Sequence, residues 1–171
     1  MAFVESFPPV SRPDARVLVL GSMPGAASLA AGRYYAHPRN AFWPIVGGVC
    51  GVAADAPYAA RLAGLVARGI ALWDVLATCE RAGSLDAAID RATARANDFV
   101  PFFAAHPRLE AVACNGGAAH ELFRRRVLPA LAAAGFTPAV HALPSTSPAH
   151  AGSSVAQKRQ AWRRILAPLL A

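Results

Sequence analysis

The stretch Arg16-Val17-Leu18-Val19-Leu20-Gly21-Ser22, which runs on into Met23-Pro24-Gly25, decides the fold expected for this chain. Its first residues are apolar and partly β-branched, and Gly21 and Pro24 stop the run after one strand length. A short, continuous apolar segment of this kind is typical of a strand that is buried on both faces of a sheet. We therefore predict a strand over Arg16–Ser22 with both faces covered.

Three later segments have the same pattern, and helical patterns separate them. The further predicted strands are Ile70–Val75, Leu109–Cys114 and Ala139–Leu143. The predicted helices are Phe42–Val52, Tyr58–Arg68, Asn97–Ala105, Ala118–Ala134 with a break at Pro129, and a last helix after Ser153 or Ser154. Strands that alternate with helices predict an α/β fold, a three-layer α/β/α arrangement around a central, mainly parallel four-stranded sheet.

The length and composition predict one globular domain over residues 1–171. Hydrophobic residues make up 55% and charged residues 16% of the chain, which excludes disorder driven by high charge. The longest uncharged stretch, 127–157, contains four prolines and a cluster of hydroxyl residues, a composition that does not favour a membrane helix. No apolar run of signal-peptide length precedes Arg12, so we expect no membrane contact and a cytoplasmic location.

The charge is unevenly distributed along the chain. The formal net charge is +7, and residues 122–171 carry all of it, with seven Lys and Arg and no acidic residue. A basic segment favours nucleic acid as a partner, although a solvated basic surface fits the same composition. Charge alone leaves both interpretations open.

Three cysteines, Cys50, Cys79 and Cys114, offer neither a metal site nor a disulfide framework. They stand 29 and 35 residues apart, whereas zinc and four-cysteine iron–sulfur sites need closely spaced ligands. An odd number of cysteines without a secretion signal also argues against a set of disulfides. We expect buried, inert thiols and no metal site.

Open parallel sheets bind ligands where loops leave the carboxyl ends of the strands, here 21–41, 74–85, 115–117 and 144–154. Gly21-Ser22-Met23-Pro24-Gly25 lets backbone N–H groups approach a ligand closely, although a structural turn explains it as well. Tyr34-Tyr35-Ala36-His37-Pro38-Arg39-Asn40-Ala41-Phe42-Trp43 offers rings for stacking a planar ligand, with the last two expected in the core. Leu143–Ala151 is a proline-fixed, hydroxyl-rich loop that suits phosphate or base edges.

In this order, the three patterns resemble the motifs of the uracil-DNA glycosylase superfamily, and within it the hypoxanthine-DNA (deoxyinosine) glycosylase branch, family six. The similarity extends through Ala71-Leu72-Trp73-Asp74-Val75-Leu76, Asn97-Asp98-Phe99 and Cys114-Asn115-Gly116-Gly117, and so spans most of residues 16–165. The resemblance implies a monofunctional DNA glycosylase of base excision repair. Its substrate would be double-stranded DNA with a deaminated base, hypoxanthine or mismatched uracil, and we expect a monomer.

The resemblance also implies roles for individual residues. Asn40 is expected to hold the attacking water. Base contacts are expected from the backbone of Ser22 and Met23, from Tyr35 by stacking, and from Asn115. Contacts to DNA phosphates or to the leaving base are expected from Gly25, Ser145, Ser147 and His150. The only lysine, Lys158, lies in the last predicted helix, so we expect no Schiff-base chemistry, no lyase activity, and no metal or organic cofactor.

Three positions depart from the uracil-specific relatives. Many relatives carry an Asp or Asn inside the first motif to position the attacking water, and the mismatch-specific uracil and thymine enzymes have Asn where this chain has Met23, whose thioether cannot orient water. The uracil-specific enzymes also have a histidine where Ser145 aligns and an intercalating leucine near Ala149, so the residue that wedges the duplex open stays unidentified.

These departures keep two alternative functions open. One is a non-catalytic nucleic-acid or nucleotide-binding module on the same fold, which the departures at Met23 and Ala149 favour. The other is a flavodoxin-like hydrolase or phosphoryl-transfer protein. That class is disfavoured because the chain lacks a Gly-Lys-Ser/Thr loop, the third glycine of a dinucleotide motif and a Gly-x-Ser-x-Gly turn.

Overall fold

The computed structural model describes residues 2–170. Its strands are β1 (Ala2–Glu5), β2 (Val17–Gly21), β3 (Ile70–Asp74), β4 (Leu76–Arg81), β5 (Ile89–Ala96), β6 (Ala111–Asn115) and β7 (Ala139–Leu143). Its α-helices are α1 (Ala26–Ala31), α2 (Tyr58–Ala67), α3 (Phe99–Ala105), α4 (Gly117–Arg126), α5 (Leu128–Ala133) and α6 (Val155–Leu170). A π-helical turn covers Trp43–Gly47, and a 3₁₀ turn covers Asp86–Ala88.

Four of these strands form the predicted parallel sheet, in the order β3-β2-β6-β7. β2 pairs in parallel with β3 and β6, and β6 pairs in parallel with β7. Val17 lies opposite both Ile70 and Ala111, and Ala111 lies opposite Ala139, so the four strands start level. The sheet confirms the predicted fold class, and the observed strand ends lie within two residues of the predicted ones.

Helices cover both faces of this sheet because successive residues of a strand point to opposite sides. Leu18 and Leu20 of β2 belong to one hydrophobic core, which also contains side chains from α3, α4 and α5. Val17 and Val19 belong to the second core, together with the π-helical turn, α2 and α6. The two cores produce the predicted three layers.

A second, three-stranded antiparallel sheet in the order β1-β4-β5 is not predicted by the sequence pattern. The predicted loop over 74–85 is wrong for residues 76–81, because β4 follows almost directly on β3. Register shifts between Leu76 and Thr78 and between Thr78 and Glu80 disturb the alternation that marks a strand. β4 also buries Arg81, which is 1% exposed, at a position where an apolar residue is expected.

The predicted helices are present with shifted ends, and Phe42–Val52 contains the π-helical turn Trp43–Gly47. The predicted loop over 21–41 is wrong for residues 26–31, which form α1. The predicted break is confirmed, because α4 and α5 separate at Val127, just ahead of Pro129. No helix in residues 2–170 is long and apolar enough to cross a membrane. As predicted, Cys50, Cys79 and Cys114 are buried and unpaired, and burial raises the pKa of the Cys114 thiol to about 12.

Candidate active site

A cavity of about 420 Å³ opens at the carboxyl edge of the parallel sheet. This volume falls in the range of about 300–1,000 Å³ that is usual for small-molecule sites. Its walls come from within 21–28, 34–40, 84–86 and 145–149, together with Asp74 and Asn115. Eight of the nine predicted site residues line it, namely Ser22, Met23, Gly25, Tyr35, Asn40, Asn115, Ser145 and Ser147. His150 is exposed and does not line the cavity.

The turn after β2 forms one wall of the cavity. The Met23 side chain is buried in the core, so only its backbone can meet a ligand. Ser22 Oγ donates a hydrogen bond to Asp86 Oδ1. The backbone N–H groups of Ser22 and Met23 donate to no acceptor within residues 2–170. These two N–H groups are therefore available to a bound molecule.

The buried Arg81 holds this turn from behind. Its Nη2 donates to the carbonyl oxygen of Pro24 at 2.6 Å, and its Nε donates to the carbonyl oxygen of Gly83 at 2.9 Å. The antiparallel sheet, absent from the sequence prediction, thus fixes the position of the turn after β2.

The two neighbouring tyrosines have different environments. Tyr34 is a core residue, 4% exposed, and its hydroxyl donates to the carbonyl oxygen of Pro8 at 2.8 Å. Tyr35 lines the cavity, and its ring stacks on Phe42 with centroids 3.9 Å apart and an interplanar angle of 14°. One ring face of Tyr35 is therefore covered. Its φ of +56° lies in the left-handed region, which is unusual for a bulky residue and frequent at functional sites.

The hydroxyl end of Tyr35 is buried and makes no hydrogen bond of good geometry within residues 2–170. Burial, and then the negative charge of Asp74, raise the pKa of this hydroxyl, whereas the nearby Asn115 amide acts in the opposite direction. The hydroxyl therefore stays protonated, and it can donate a hydrogen bond to a ligand.

Asn40 lies between the aromatic segment and the π-helical turn. Its Oδ1 accepts a hydrogen bond from the backbone N–H of Phe42, two residues along the chain, at 2.9 Å, as in an Asx turn. Its Nδ2 has no acceptor within residues 2–170. The backbone N–H of Ala41 donates to the carbonyl oxygen of Thr146 at 3.0 Å and so joins this segment to the loop after β7. The Asn40 amide thus has both a structural bond and a free donor at the cavity.

Asn115 is anchored by Thr146. Its Nδ2 donates to Thr146 Oγ1, and its Oδ1 accepts from the Thr146 backbone N–H, both at 2.9 Å. An amide has two donor hydrogens and two acceptor lone pairs, so Thr146 uses one of each and leaves one of each. In the same loop, Ser145 Oγ accepts from the backbone N–H of Ser147, and Ser147 Oγ accepts from that of Ala149. Both hydroxyl hydrogens stay available at the rim.

Lys158 supports that rim from below. It is 4% exposed, and its Nζ donates to the carbonyl oxygens of His150 at 2.6 Å and Ser147 at 3.3 Å. Burial lowers the pKa of this amine. Sequence reasoning does not find this role, since a lysine in an amphipathic helix is normally read as solvent-exposed.

Asp74, at the end of β3, is a cavity residue that sequence reasoning missed, as are Ser84 and Asp86. It is 3% exposed, lines the cavity, and has no side-chain hydrogen bond or ion pair within residues 2–170. Burial, and then the charge of Asp86, raise its pKa to about 7, against an opposing effect of Arg81. A Cβ atom at Gly21 would lie 2.5 Å from Asp74 Oδ1, so the carboxyl group requires a glycine there. The available signal was an Asp at the carboxyl end of a buried strand.

Comparison with known proteins assigns the family. The model of the Uracil DNA glycosylase superfamily matches residues 8–168. The chain belongs to this superfamily. Its members are hydrolases that act on N-glycosyl bonds.

Two curated relatives carry the name hypoxanthine DNA glycosylase. The protein from Methanosarcina barkeri is 38% identical over 86 residues, which are 50% of this chain and 54% of that protein. The protein from Methanosarcina acetivorans is 35% identical over 116 residues, 67% of this chain and 72% of that protein. The matched segment thus spans only about half the length of the first relative.

The fold has a solved counterpart over its full length. The solution NMR structure of a Methanosarcina acetivorans protein, named after the uracil DNA glycosylases, matches with a TM-score of 0.82 and 30% sequence identity. The match covers 99% of this chain and 100% of the other. The three layers around a parallel sheet are therefore the fold of this superfamily.

Proposed function

We propose that this protein is a monofunctional DNA glycosylase that hydrolyses the N-glycosidic bond of a deaminated base, hypoxanthine above all, in base excision repair. The observation that carries the proposal is the cavity on which eight predicted site residues converge. The relatives named hypoxanthine DNA glycosylase support the choice of base. The substrate is double-stranded DNA, and the target nucleotide leaves the base stack to enter the cavity.

The proposed chemistry needs hydrogen-bond donors at the departing base. As the N-glycosidic bond breaks, negative charge develops on the base and positive charge on the sugar, and fixed donors near the base stabilise this transition state. The N–H groups of Ser22 and Met23 and the second Nδ2 hydrogen of Asn115 are unused donors of this kind. The free ring face of Tyr35 stacks on the base.

The nucleophile in this proposal is a water molecule held by Asn40. The hydrogen bond from the Phe42 N–H restrains the amide group, and the residue lines the cavity with its Nδ2 unbonded within residues 2–170. A lysine nucleophile is disfavoured because the amine of Lys158 is bonded to two loop carbonyls beneath the rim. Water attack without a Schiff base yields an abasic site and no strand break, which is monofunctional activity.

The rim of the cavity is proposed to hold the DNA backbone. The hydroxyl hydrogens of Ser145 and Ser147 and the backbone of Gly25 face the cavity and suit phosphate oxygens. His150, exposed beside them, is a further phosphate contact.

The test is cleavage of duplex oligonucleotides that carry one deoxyinosine opposite each of the four bases, with matched uracil duplexes. Strand breaks are expected after alkali treatment and absent without it. Binding of the inosine duplex without breaks after alkali would instead support the non-catalytic binding module. Breaks without alkali would contradict the monofunctional mechanism.

A further inference from the structure

We propose that Asp74 selects the deaminated base, because its carboxyl group accepts a hydrogen bond from the ring N–H that deamination creates. The proposal rests on the glycosylase function proposed above and extends it to a residue that carries specificity.

The first observation is a buried polar group without a partner. Asp74 Oδ2 is fully buried and unpaired, and Oδ1 also forms no hydrogen bond within residues 2–170. Leaving a buried polar group unpaired is costly, and folded proteins contain few such groups. Asp74 also lines the cavity, so a bound base is the natural partner for its carboxyl group.

The second observation is that this carboxyl group lies beside Gly21 and close to the Tyr35 hydroxyl, where β2 leads into its turn. Asp74 pairs with Gly21 across the sheet, and its backbone carbonyl accepts from Asn97 Nδ2 at 2.8 Å. A point 2.5 Å from Asp74 Oδ1, where a Cβ of Gly21 would stand, is 3.3 Å from the Tyr35 hydroxyl oxygen. The two polar groups therefore stand next to the strand end from which Ser22 and Met23 follow.

The charged and titratable neighbours leave the carboxyl group without neutralisation. The negative charge of Asp86 raises the pKa of Asp74, and the positive charge of Arg81 lowers it. The charge of Asp74 in turn raises the pKa of the Tyr34 and Tyr35 hydroxyls. Arg81 forms no salt bridge with Asp74: its Nε and Nη2 donate to the carbonyl oxygens of Gly83 and Pro24, and its Nη1 is buried without a partner in the described part of the chain.

The edges of the bases explain why a carboxylate is a suitable reader. Deamination converts the N1 acceptor of adenine into the N1–H donor of hypoxanthine, and the N3 acceptor of cytosine into the N3–H donor of uracil. An ionised carboxylate only accepts hydrogen bonds. It therefore pairs with the deaminated base and repels the lone pair of the normal one. An amide in its place can present either a donor or an acceptor.

The experiment measures binding at pH 8 to duplexes with non-hydrolysable 2′-fluoro-2′-deoxyinosine or 2′-fluoro-2′-deoxyadenosine opposite the same base. Wild type is expected to prefer inosine by about tenfold or more, the size of one hydrogen bond to a charged group. Asp74→Asn is expected to reduce this preference to about threefold or less, by tighter adenine binding. Asp74→Leu is expected to reduce it by weaker inosine binding.

Asp86→Asn is the matched control. It removes a negative charge from the same cavity and keeps an acceptor for Ser22 Oγ. It leaves Asp74 in place, so the inosine preference is expected to persist or increase. An equal loss of preference in Asp86→Asn and Asp74→Asn would overturn the inference, since general cavity charge would then explain it.

Failure of the inference and failure of the proposed function have different signatures. If wild type cleaves inosine duplex and both Asp74 variants keep its preference, Asp74 does not read the base, and the glycosylase function stands. If wild type cleaves no deaminated base, the proposed function and the inference fall together. Melting of each variant at pH 8 verifies that it is folded.

Discussion

Asp74→Asn is expected to gain stability relative to wild type as the pH rises from 4 to 8. The carboxyl group is buried without a partner, so its charged form is poorly solvated and the folded state favours its protonated form. Asparagine has nearly the same shape and does not ionise. The substitution therefore removes one pH-dependent cost and leaves an uncharged polar group of similar size in its place.

The magnitude follows from the pKa of Asp74. Its value of about 7 in the folded protein compares with a reference value of 3.8. The folded state binds more protons than the unfolded state between these values, so wild-type stability falls as the pH rises through this window. A difference of about three pH units corresponds to about 4 kcal/mol, fully lost above the folded pKa. For a chain of this size, 1 kcal/mol changes the Tm by about 2–4 °C.

The assay is thermal unfolding of wild type and Asp74→Asn at pH 4, 5, 6, 7 and 8. The Tm of the variant minus that of wild type is expected to increase by about 8–16 °C across this range. An unpaired buried amide lowers the variant's Tm by an amount that does not depend on pH, so only the change with pH is diagnostic. Asp55→Asn, at an exposed position, is the control and is expected to give a constant difference. A constant difference for Asp74→Asn as well would refute the reasoning.

Three further predictions concern the proposed reaction. Asn40→Ala and Asn40→Ser are both expected to lower single-turnover cleavage of inosine duplex by about a hundredfold, and Asn40→Ser is expected to have a Tm nearer wild type because its hydroxyl still accepts from the Phe42 N–H. Near-normal cleavage by either variant would remove Asn40 from the mechanism. Tyr35→Phe is expected to keep most cleavage because it keeps the ring, and to have a Tm no lower than wild type because it removes an unpaired buried hydroxyl. Loss of cleavage would show that the hydroxyl itself is needed. Arg159→Glu, near the cavity end of α6, is expected to weaken DNA binding and flatten its salt dependence more than Arg124→Glu at the far end of α4. If the two variants have the same DNA affinity at every salt concentration, the DNA does not contact this end of α6.

Periodicity was sufficient to predict the parallel sheet, and the motif order was sufficient to predict which loops meet. β2 and β3 are buried along their whole length, and such strands have an unbroken apolar sequence. Strand order then brings the loops after Gly21, Asp74 and Asn115 to one edge. Local sequence was therefore informative for strands that are buried on both faces, because every position of such a strand has to be apolar.

Periodicity failed where the structure buries charge. Arg81 interrupts the apolar pattern of β4, and Lys158 lies on a helix whose polar residues are otherwise exposed. Both side chains are held by backbone carbonyls that are distant in sequence or belong to loops, and no local pattern contains that information. Asp74 was missed for a related reason. Whether its carboxyl group finds a hydrogen-bond donor depends on residues from other parts of the chain, and the local sequence does not contain that information.

The polar groups of this site divide into those that are bonded and those that are not, and the division matches two tasks. Arg81, Lys158 and the Asn115–Thr146 pair use their hydrogen bonds within the protein and fix the loops around the cavity. Inside those fixed loops the Asp74 carboxyl group and the Tyr35 hydroxyl remain unpaired, and Nη1 of Arg81 is also buried without a partner among residues 2–170. An unpaired buried group would otherwise move or gather water, so rigid surroundings are needed to keep it ready for a ligand. The bonded cations therefore make it possible for the unpaired Asp74 carboxyl group to recognise a base.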